Sequence, residues 1–376
     1  MNTMNRREIL RGGMLGFGVL GAATVKLPCA GAEPRADEGV SRTLAEVRDK
    51  HRLPGLVGAV IRGGTIASIG AVGVRKVGDP RPIQPGDQVH LGSDTKAMTA
   101  TMVGTLVDEG KLGWATTVRE VFAARAADLH RDFQGVTLWE LLTHRAGLPA
   151  NGPWRGLKGK TTTEQRRDLL ARMMSVAPVS PPGTKFAYSN VGYALAGLMA
   201  EEVTGRSWET LMRERLFTPL QMASAGFGPP GTVGEVDQPW GHRPIGKIFL
   251  PAQADNAPAL GPAGTVHCTM GDWARFAGQH MREAKGGPRL LKPDTLRKLH
   301  TPPKGETYAG GWIVVERPWA GGPALTHAGS NTMWFATIWV APVRNFAIAV
   351  ATNAGGEGAQ TACDEAVGAL IKHHLT

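Results

Sequence analysis

Cysteine is scarce in this 376-residue chain, which contains only Cys29, Cys268 and Cys363. With no C-x-x-C and no H-E-x-x-H pattern, a zinc ribbon, a dithiol redox centre and a zincin-type site are excluded, and neither a metal nor another cofactor is expected. Cys268 and Cys363 lie far apart without framework spacing, so both read as unpaired thiols. His373-His374 reads as a solvated tail. Long hydrophobic runs are missing too. No stretch of eighteen apolar residues occurs, so no segment is long enough to span a bilayer as a helix. There is no fixed-period repeat and no long low-complexity tract. Hydrophobic content of 42% and charged content of 20% are those of a soluble globular protein with one large or two smaller domains.

Negative charge is in deficit, and the formal net charge is +10. The basic residues are scattered singly, with Arg166-Arg167 about the densest spot, and no nucleic-acid motif accompanies them. Nucleic acid is therefore not an expected partner; solubility in anionic surroundings such as cell-wall polymers accounts for the charge. The start of the chain has its own character. Arg6-Arg7, a Gly-rich apolar stretch from about Gly12 to Val25, and Ala30-Gly31-Ala32 form an n-region, an h-region and an A-x-A cleavage site. The segment 1–32 reads as a twin-arginine (Tat) signal peptide. Pro28 before Cys29 disfavours a lipoprotein anchor, so no stable membrane attachment is expected. Cleavage after Ala32 would leave a net charge of about +7 on a periplasmic or secreted protein.

Beyond the leader, a helix over 40–51 precedes "LVGAVIRGGTIASIGAVGVR", two apolar runs around Gly63-Gly64 that predict a β-hairpin. From about Ser93 to Leu299 the pattern is mostly helical, with long Pro/Gly-rich loops at 149–160 and 225–264. Short apolar runs then return in "GWIVVERP", "ALTHAGSN", "MWFATIWVAP" and "FAIAVATNA", followed by a closing helix from about Gln360. The expected fold is α/β, an antiparallel sheet built from N- and C-terminal strands (33–88 and 305–376) and flanked by helices. A mostly helical domain (89–304) is inserted, and the cleft is expected at the junction.

Three short patterns carry chemistry. Ser93-x-x-Lys96 opens a predicted amphipathic helix with Met98, Met102 and Leu106 inward. Chance supplies about 0.3 such pairs, and a serine helix cap explains this one adequately. The same spacing would place an ammonium beside the hydroxyl at a helix start. Tyr188-Ser189-Asn190 precedes a second helix. With three tyrosines and eight asparagines, chance supplies only about 0.06 Y-x-N triplets, although a capping Asn190 remains open. His327-Ala328-Gly329 lies on a predicted strand and means little alone, because His90-Leu91-Gly92 repeats the pattern.

In that order and rough spacing, the three motifs resemble those of the penicillin-recognising serine hydrolases: class C β-lactamases, D-alanyl-D-alanine carboxypeptidases, D-aminopeptidases and related carboxylesterases. Here H-A-G stands where class C β-lactamases carry K-T-G. "VTLWELLTHRAGLP", "WETLMRERLFTPLQM" and "GPAGTVHCTMGDWARF" extend the resemblance over roughly residues 40–372. It implies the β-lactamase/transpeptidase-like fold and an acyl-enzyme on Ser93. Lys96 would help deprotonate Ser93, and Tyr188 would act as general acid or base, in one form a phenolate held by Lys96. Asn190 would bind the acyl side chain and Lys96, and His327 would help form the cleft wall and the polar network around Tyr188. The backbone N–H groups of Ser93 and Ser330, next to Gly329, would form the oxyanion hole, worth ~3 kcal/mol per donor.

The resemblance also makes His144 a structural turn residue. Asp94 and Thr95 read as surface or packing positions. Trp154, Trp240 and Trp334 could rim the cleft or sit in the core. Asp255-Asn256 would face the substrate, and His267-Cys268 replaces the relatives' Tyr-Ser. The expected activity is hydrolysis of a small-molecule or peptide amide or ester, with cell-wall-derived compounds among the candidates, by a D-amino-acid peptidase/carboxypeptidase or a carboxylesterase. A class C-like β-lactamase and a non-catalytic penicillin-binding sensor are the alternatives. Sequence alone leaves the oligomeric state open.

Overall fold

The structure, a computed structural model, describes residues 36–246, 248–283 and 288–375. The segment read above as a twin-arginine leader, with Cys29, lies outside the described residues. In chain order, helix α1 (Glu38–His51) leads into the hairpin β1 (Gly55–Arg62) and β2 (Thr65–Gly73), then into β3 (Gln88–His90) and helix α2 (Thr95–Asp108). The helical insertion includes α3 (Thr162–Met174) and α4 (Asn190–Thr204). Its second half carries the short strands β4 (Gly226–Phe227), β5 (Gly241–Ile245), β6 (Ile248–Ala252) and β7 (Val266–Thr269), then α5 (Met270–Gln279). Strands β8 (Ile313–Arg317), β9 (Gly322–Ser330), β10 (Phe335–Ala341) and β11 (Phe346–Thr352) and helix α6 (Glu357–Leu375) complete the chain.

The hairpin turns at Gly63-Gly64, both at positive φ (58° and 86°), a conformation glycine adopts without steric cost. The main sheet runs β2-β1-β11-β10-β9-β8, antiparallel at every pairing. The first and last strands of the chain are thus neighbours, as the expected fold requires. Both faces are covered, which is why β1 and β11 read as nearly continuous apolar runs. Leu56, Val60, Ile348 and Val350 meet Val40 and Leu44 of α1 and Ala366 and Leu370 of α6 in one core. Val57, Ala59, Ile61, Ala347 and Ala349 enter the other core with α2, α4 and α5.

Two expectations change. Helix α2 is buried from Thr95 to Leu106, so it is the central rod of the helical layer and has no wet face. The stretch 225–264 is not only loop. β5 pairs with β6, and β4 and β3 flank β7 in a small sheet. These strands are two to five residues long, and Pro244 and Pro251 interrupt the alternation that would have signalled them.

The basic pair Arg166-Arg167 divides its roles. Arg167 reaches Glu202 near the surface. Arg166 is fully buried, with Nη2 at 2.6 Å and Nε at 3.1 Å from the two Glu201 carboxylate oxygens and Glu209 beside them. This bidentate clamp ties α3 to α4, the helix that begins at Asn190. Arg166→Ala would strand a buried carboxylate and is expected to cost about 3–5 kcal/mol, measured as the shift in urea unfolding. A loss under 1 kcal/mol would show that Glu201 finds water instead.

Candidate active site

Ser93 sits in a single 3₁₀ turn, Gly92–Asp94, at the mouth of α2. It is not the helix cap: its hydroxyl accepts from Lys96 Nζ at 3.0 Å, and α2 has no side-chain cap. Lys96 lies one turn on and is completely buried. Its Nζ also donates to Asn190 Oδ1 at 2.7 Å and to the Ala263 carbonyl at 2.8 Å. Burial pushes the Lys96 ammonium well below the ordinary lysine range. A neutral amine has two N–H donors and one lone pair. Asn190 and Ala263 take the donors, so in the neutral amine the Ser93 contact reverses and the hydroxyl proton faces the lone pair.

Asn190 is held from three sides. Its amide N–H reaches the Ala150 carbonyl at 2.8 Å, its Nδ2 reaches Asn151 at 2.9 Å, and its Oδ1 receives Lys96. The cap of α4 is Ser189, whose hydroxyl accepts from Gly192 N–H at 3.1 Å, which frees Asn190 for the cleft. Tyr188 hydrogen-bonds Ser93, and burial pushes its phenol up to about 12. The phenolate form implied by the resemblance is therefore not the resting form. The Lys96 Nζ stands 4.8 Å from the Tyr188 ring centroid, yet desolvation of the phenolate outweighs any help from that neighbour.

The strand β9 brings the third motif alongside. A methyl group on Gly329 would overlap the Leu91 carbonyl oxygen and the Ser93 amide nitrogen, and one on Gly92 would overlap the Ser330 amide nitrogen. Two backbones therefore touch where neither position tolerates a Cβ, and the N–H groups of Ser93 and Ser330 come side by side. His327, two residues before Gly329, is buried and neutral, its pKa lowered to about 3 chiefly by desolvation. Its Nε2 accepts from the Tyr308 hydroxyl at 3.0 Å, and its Nδ1–H points to the Ala328 carbonyl at 2.9 Å. Its polar partner is thus Tyr308, and Tyr188 lines the same cavity.

Tyr308 was not legible as a site residue from motif order. The available signal was rarity, because all three tyrosines of the chain, Tyr188, Tyr193 and Tyr308, gather around His144 at ring distances of 4.4, 5.2 and 4.5 Å. His144 adopts φ 58°, accepts from Ser189 N–H at 3.0 Å, and is kept neutral by burial. It organises the aromatic wall, in keeping with the structural role the resemblance implies.

Several secondary expectations move. Of the two readings for Asp94 and Thr95, packing holds, since both are buried. Thr95 Oγ1 accepts from Val266 N–H at 3.1 Å. Neither Asp94 carboxyl oxygen has a hydrogen-bond partner beyond its own amide, and burial raises its pKa well above the usual range. Asp255 and Asn256 are engaged with the protein itself. Asn256 holds the Gly264 carbonyl at 2.9 Å. Asp255 joins His90 Nε2 at 2.9 Å and Asn331 Nδ2 at 3.0 Å, and His90 Nδ1 accepts from Gly92 N–H at 3.1 Å. This chain braces the residue before Ser93 and the residue after Ser330 at once. His267 turns to the Gly228 carbonyl, Cys268 is enclosed in the core, and Cys268 and Cys363 are both free thiols. Trp334 is buried, Trp154 packs against the core, and Trp240 stacks on Lys76.

The bracing has a measurable consequence. Asp255→Asn or His90→Ala lets the Gly92 turn shift. Since displacement of about 1 Å can cost on the order of 100-fold in rate, kcat should fall 10- to 100-fold with KM nearly unchanged. A pure KM effect would instead return Asp255 to the substrate.

Comparison with known proteins agrees with this geometry. The Beta-lactamase family model matches residues 40–370. The chain is 30% identical to penicillin-binding protein 4 of Amycolatopsis lactamdurans, over 82% of this chain and 83% of that protein. It is 29% identical to a D-aminopeptidase of Cereibacter sphaeroides, over 50% of this chain but only 36% of that protein. The octameric penicillin-binding protein homologue of Pyrococcus abyssi shares the fold, with a TM-score of 0.74 at 23% identity, over 89% of this chain and 77% of that one. With the motif residues brought together around Ser93, the chain belongs to the β-lactamase family and is a β-lactamase-related serine hydrolase.

Proposed function

We propose that the protein is an exported hydrolase that opens an amide or ester through an acyl-enzyme on Ser93, as a D-amino-acid peptidase/carboxypeptidase or a carboxylesterase. The carrying observation is Lys96 Nζ, fully buried and 3.0 Å from Ser93 Oγ, with its other partners on Asn190 and Ala263. Ser93 Oγ attacks the carbonyl carbon as its proton passes to the neutral Lys96 amine. Negative charge on the carbonyl oxygen is received by the N–H groups of Ser93 and Ser330. Tyr188, which holds its proton at rest, donates it to the leaving nitrogen or oxygen as the C–N or C–O bond breaks, and Lys96 returns the proton to Tyr188. Water then releases the acyl group by the reverse sequence.

Intact-protein mass spectrometry with a penicillin and with a short-chain nitrophenyl ester tests this reading. The expected result is a long-lived penicilloyl adduct on Ser93 and ester turnover. Penicillin hydrolysed without a persisting adduct would move the assignment to a β-lactamase, and no covalent species with either compound would end the acyl-enzyme reading.

The pH profile follows from the two shifts. Lys96 must be neutral, so kcat/KM rises with pH through its depressed pKa, well below the ordinary 10.5. Tyr188 keeps its proton until about 12, so no alkaline limb is expected through pH 10. A rising limb centred near 10.5 would mean that Lys96 is not depressed and rests as an ammonium in the free enzyme.

A further inference from the structure

A cavity of about 380 Å³ opens beside Tyr188 and His327, lined also by Phe186, Glu306, Tyr308 and Ile313. Its position identifies its occupant. Tyr188 hydrogen-bonds Ser93 and is the proton donor of the reaction just described, and a leaving group departs toward the acid that protonates it. The cavity is therefore on the leaving-group side of the reacting carbon.

Its chemistry is one-sided. Phe186 and Tyr308 face each other with ring centroids 5.7 Å apart, and Ile313 is a partly exposed aliphatic rim. His327 offers no charge and has both ring nitrogens engaged, one with Tyr308 and one with the Ala328 carbonyl. The one ionisable carboxylate in the lining, Glu306, is paired with Arg145 at 2.7 Å, and Arg145 also donates to the Gly183 carbonyl. Lys96, the nearest buried cation-forming group, already has three partners. A substrate carboxylate in this cavity would meet aromatic faces and Glu306, and no cation is among the residues that line it.

We propose that this cavity holds an uncharged aromatic or branched aliphatic leaving group. The preferred substrates are then esters and C-terminally blocked D-aminoacyl amides, while compounds with a free carboxylate on the departing group, penicillin among them, acylate Ser93 more slowly; this narrows the function proposed above away from the carboxypeptidase. The proposal rests on the acyl-enzyme reading above.

The test compares acetyl-D-alanyl-D-phenylalanine with its C-terminal amide, and the corresponding D-phenyllactyl ester with its amide, so that each pair differs only in one charge. In the full-length mature protein the blocked member should show kcat/KM at least about tenfold higher. Ile313→Lys adds an ammonium to the exposed rim, and Glu306→Gln releases Arg145 from its partner. Each should shift the ratio at least about tenfold toward the free acid. Calorimetric binding of the two products, D-phenylalaninamide and D-phenylalanine, reads the cavity without turnover and should favour the amide. Free acids cleaved or bound as well as their amides would overturn the proposal. Labelling of Ser93 by a fluorophosphonate is scored separately. If labelling fails while the product preference holds, the acyl-enzyme reading falls and the character of the cavity stands.

Discussion

Ser93→Ala is expected to lower kcat/KM on any ester or amide substrate by about 10⁴- to 10⁶-fold and to abolish covalent labelling, and Lys96→Ala should cost nearly as much. The size follows from how the pair works. Without Oγ there is nothing to acylate. Without the buried amine, Ser93 keeps a hydroxyl proton that no other neighbour at 3 Å is placed to accept, because Tyr188 holds its own proton and Asn190 is turned to Lys96. Groups acting as one unit are not additive, so the double variant should be no slower than Ser93→Ala alone. Steady-state kinetics with an active-site titration decides the matter. An additional hundredfold loss in the double variant would mean that Lys96 contributes by a route independent of Ser93. Lys96→Arg should not rescue activity, since a guanidinium stays protonated and offers no lone pair.

Gly329→Ala carries the second largest effect. The added methyl would collide with the Leu91 carbonyl and the Ser93 amide, all of them backbone atoms, so relief requires β9 to move away from the nucleophile turn. That movement separates the Ser93 and Ser330 N–H groups. Loss of one oxyanion donor lowers kcat by about 10²- to 10³-fold, and the effect should appear in kcat more than in KM. Gly358→Ala is the matched control. A Cβ at Gly358, near the start of α6, meets nothing within 4 Å, so activity should be unchanged and stability equal or slightly higher. Circular dichroism separates a displaced strand from a lost fold. Full activity in Gly329→Ala would mean that the oxyanion is held elsewhere.

The sequence by itself determined the strands that pair at both ends of the chain, the hairpin at Gly63-Gly64, and the three motifs in their order. These are properties of short segments: alternation and apolar runs specify strands, and a spacing of three on a helix puts Lys96 beside Ser93 whatever surrounds them. Only the tertiary structure decided what those residues are chemically. The Lys96 ammonium is disfavoured because α2 is buried and its charge is desolvated, which suits it to the base role proposed above, and the Tyr188 phenol is pushed up for the same reason. Burial is a sum over distant segments, so no local pattern encodes it. The Asn331–Asp255–His90–Gly92 brace and the gathering of three tyrosines on His144 join residues up to 165 positions apart, and such pairings leave no spacing to read. The same holds for the aromatic cavity beside Tyr188, whose walls come from α4's approach, the 306–313 segment and β9. Segment chemistry puts Lys96 beside Ser93, and long-range packing desolvates both Lys96 and Tyr188 and shapes the cavity next to them.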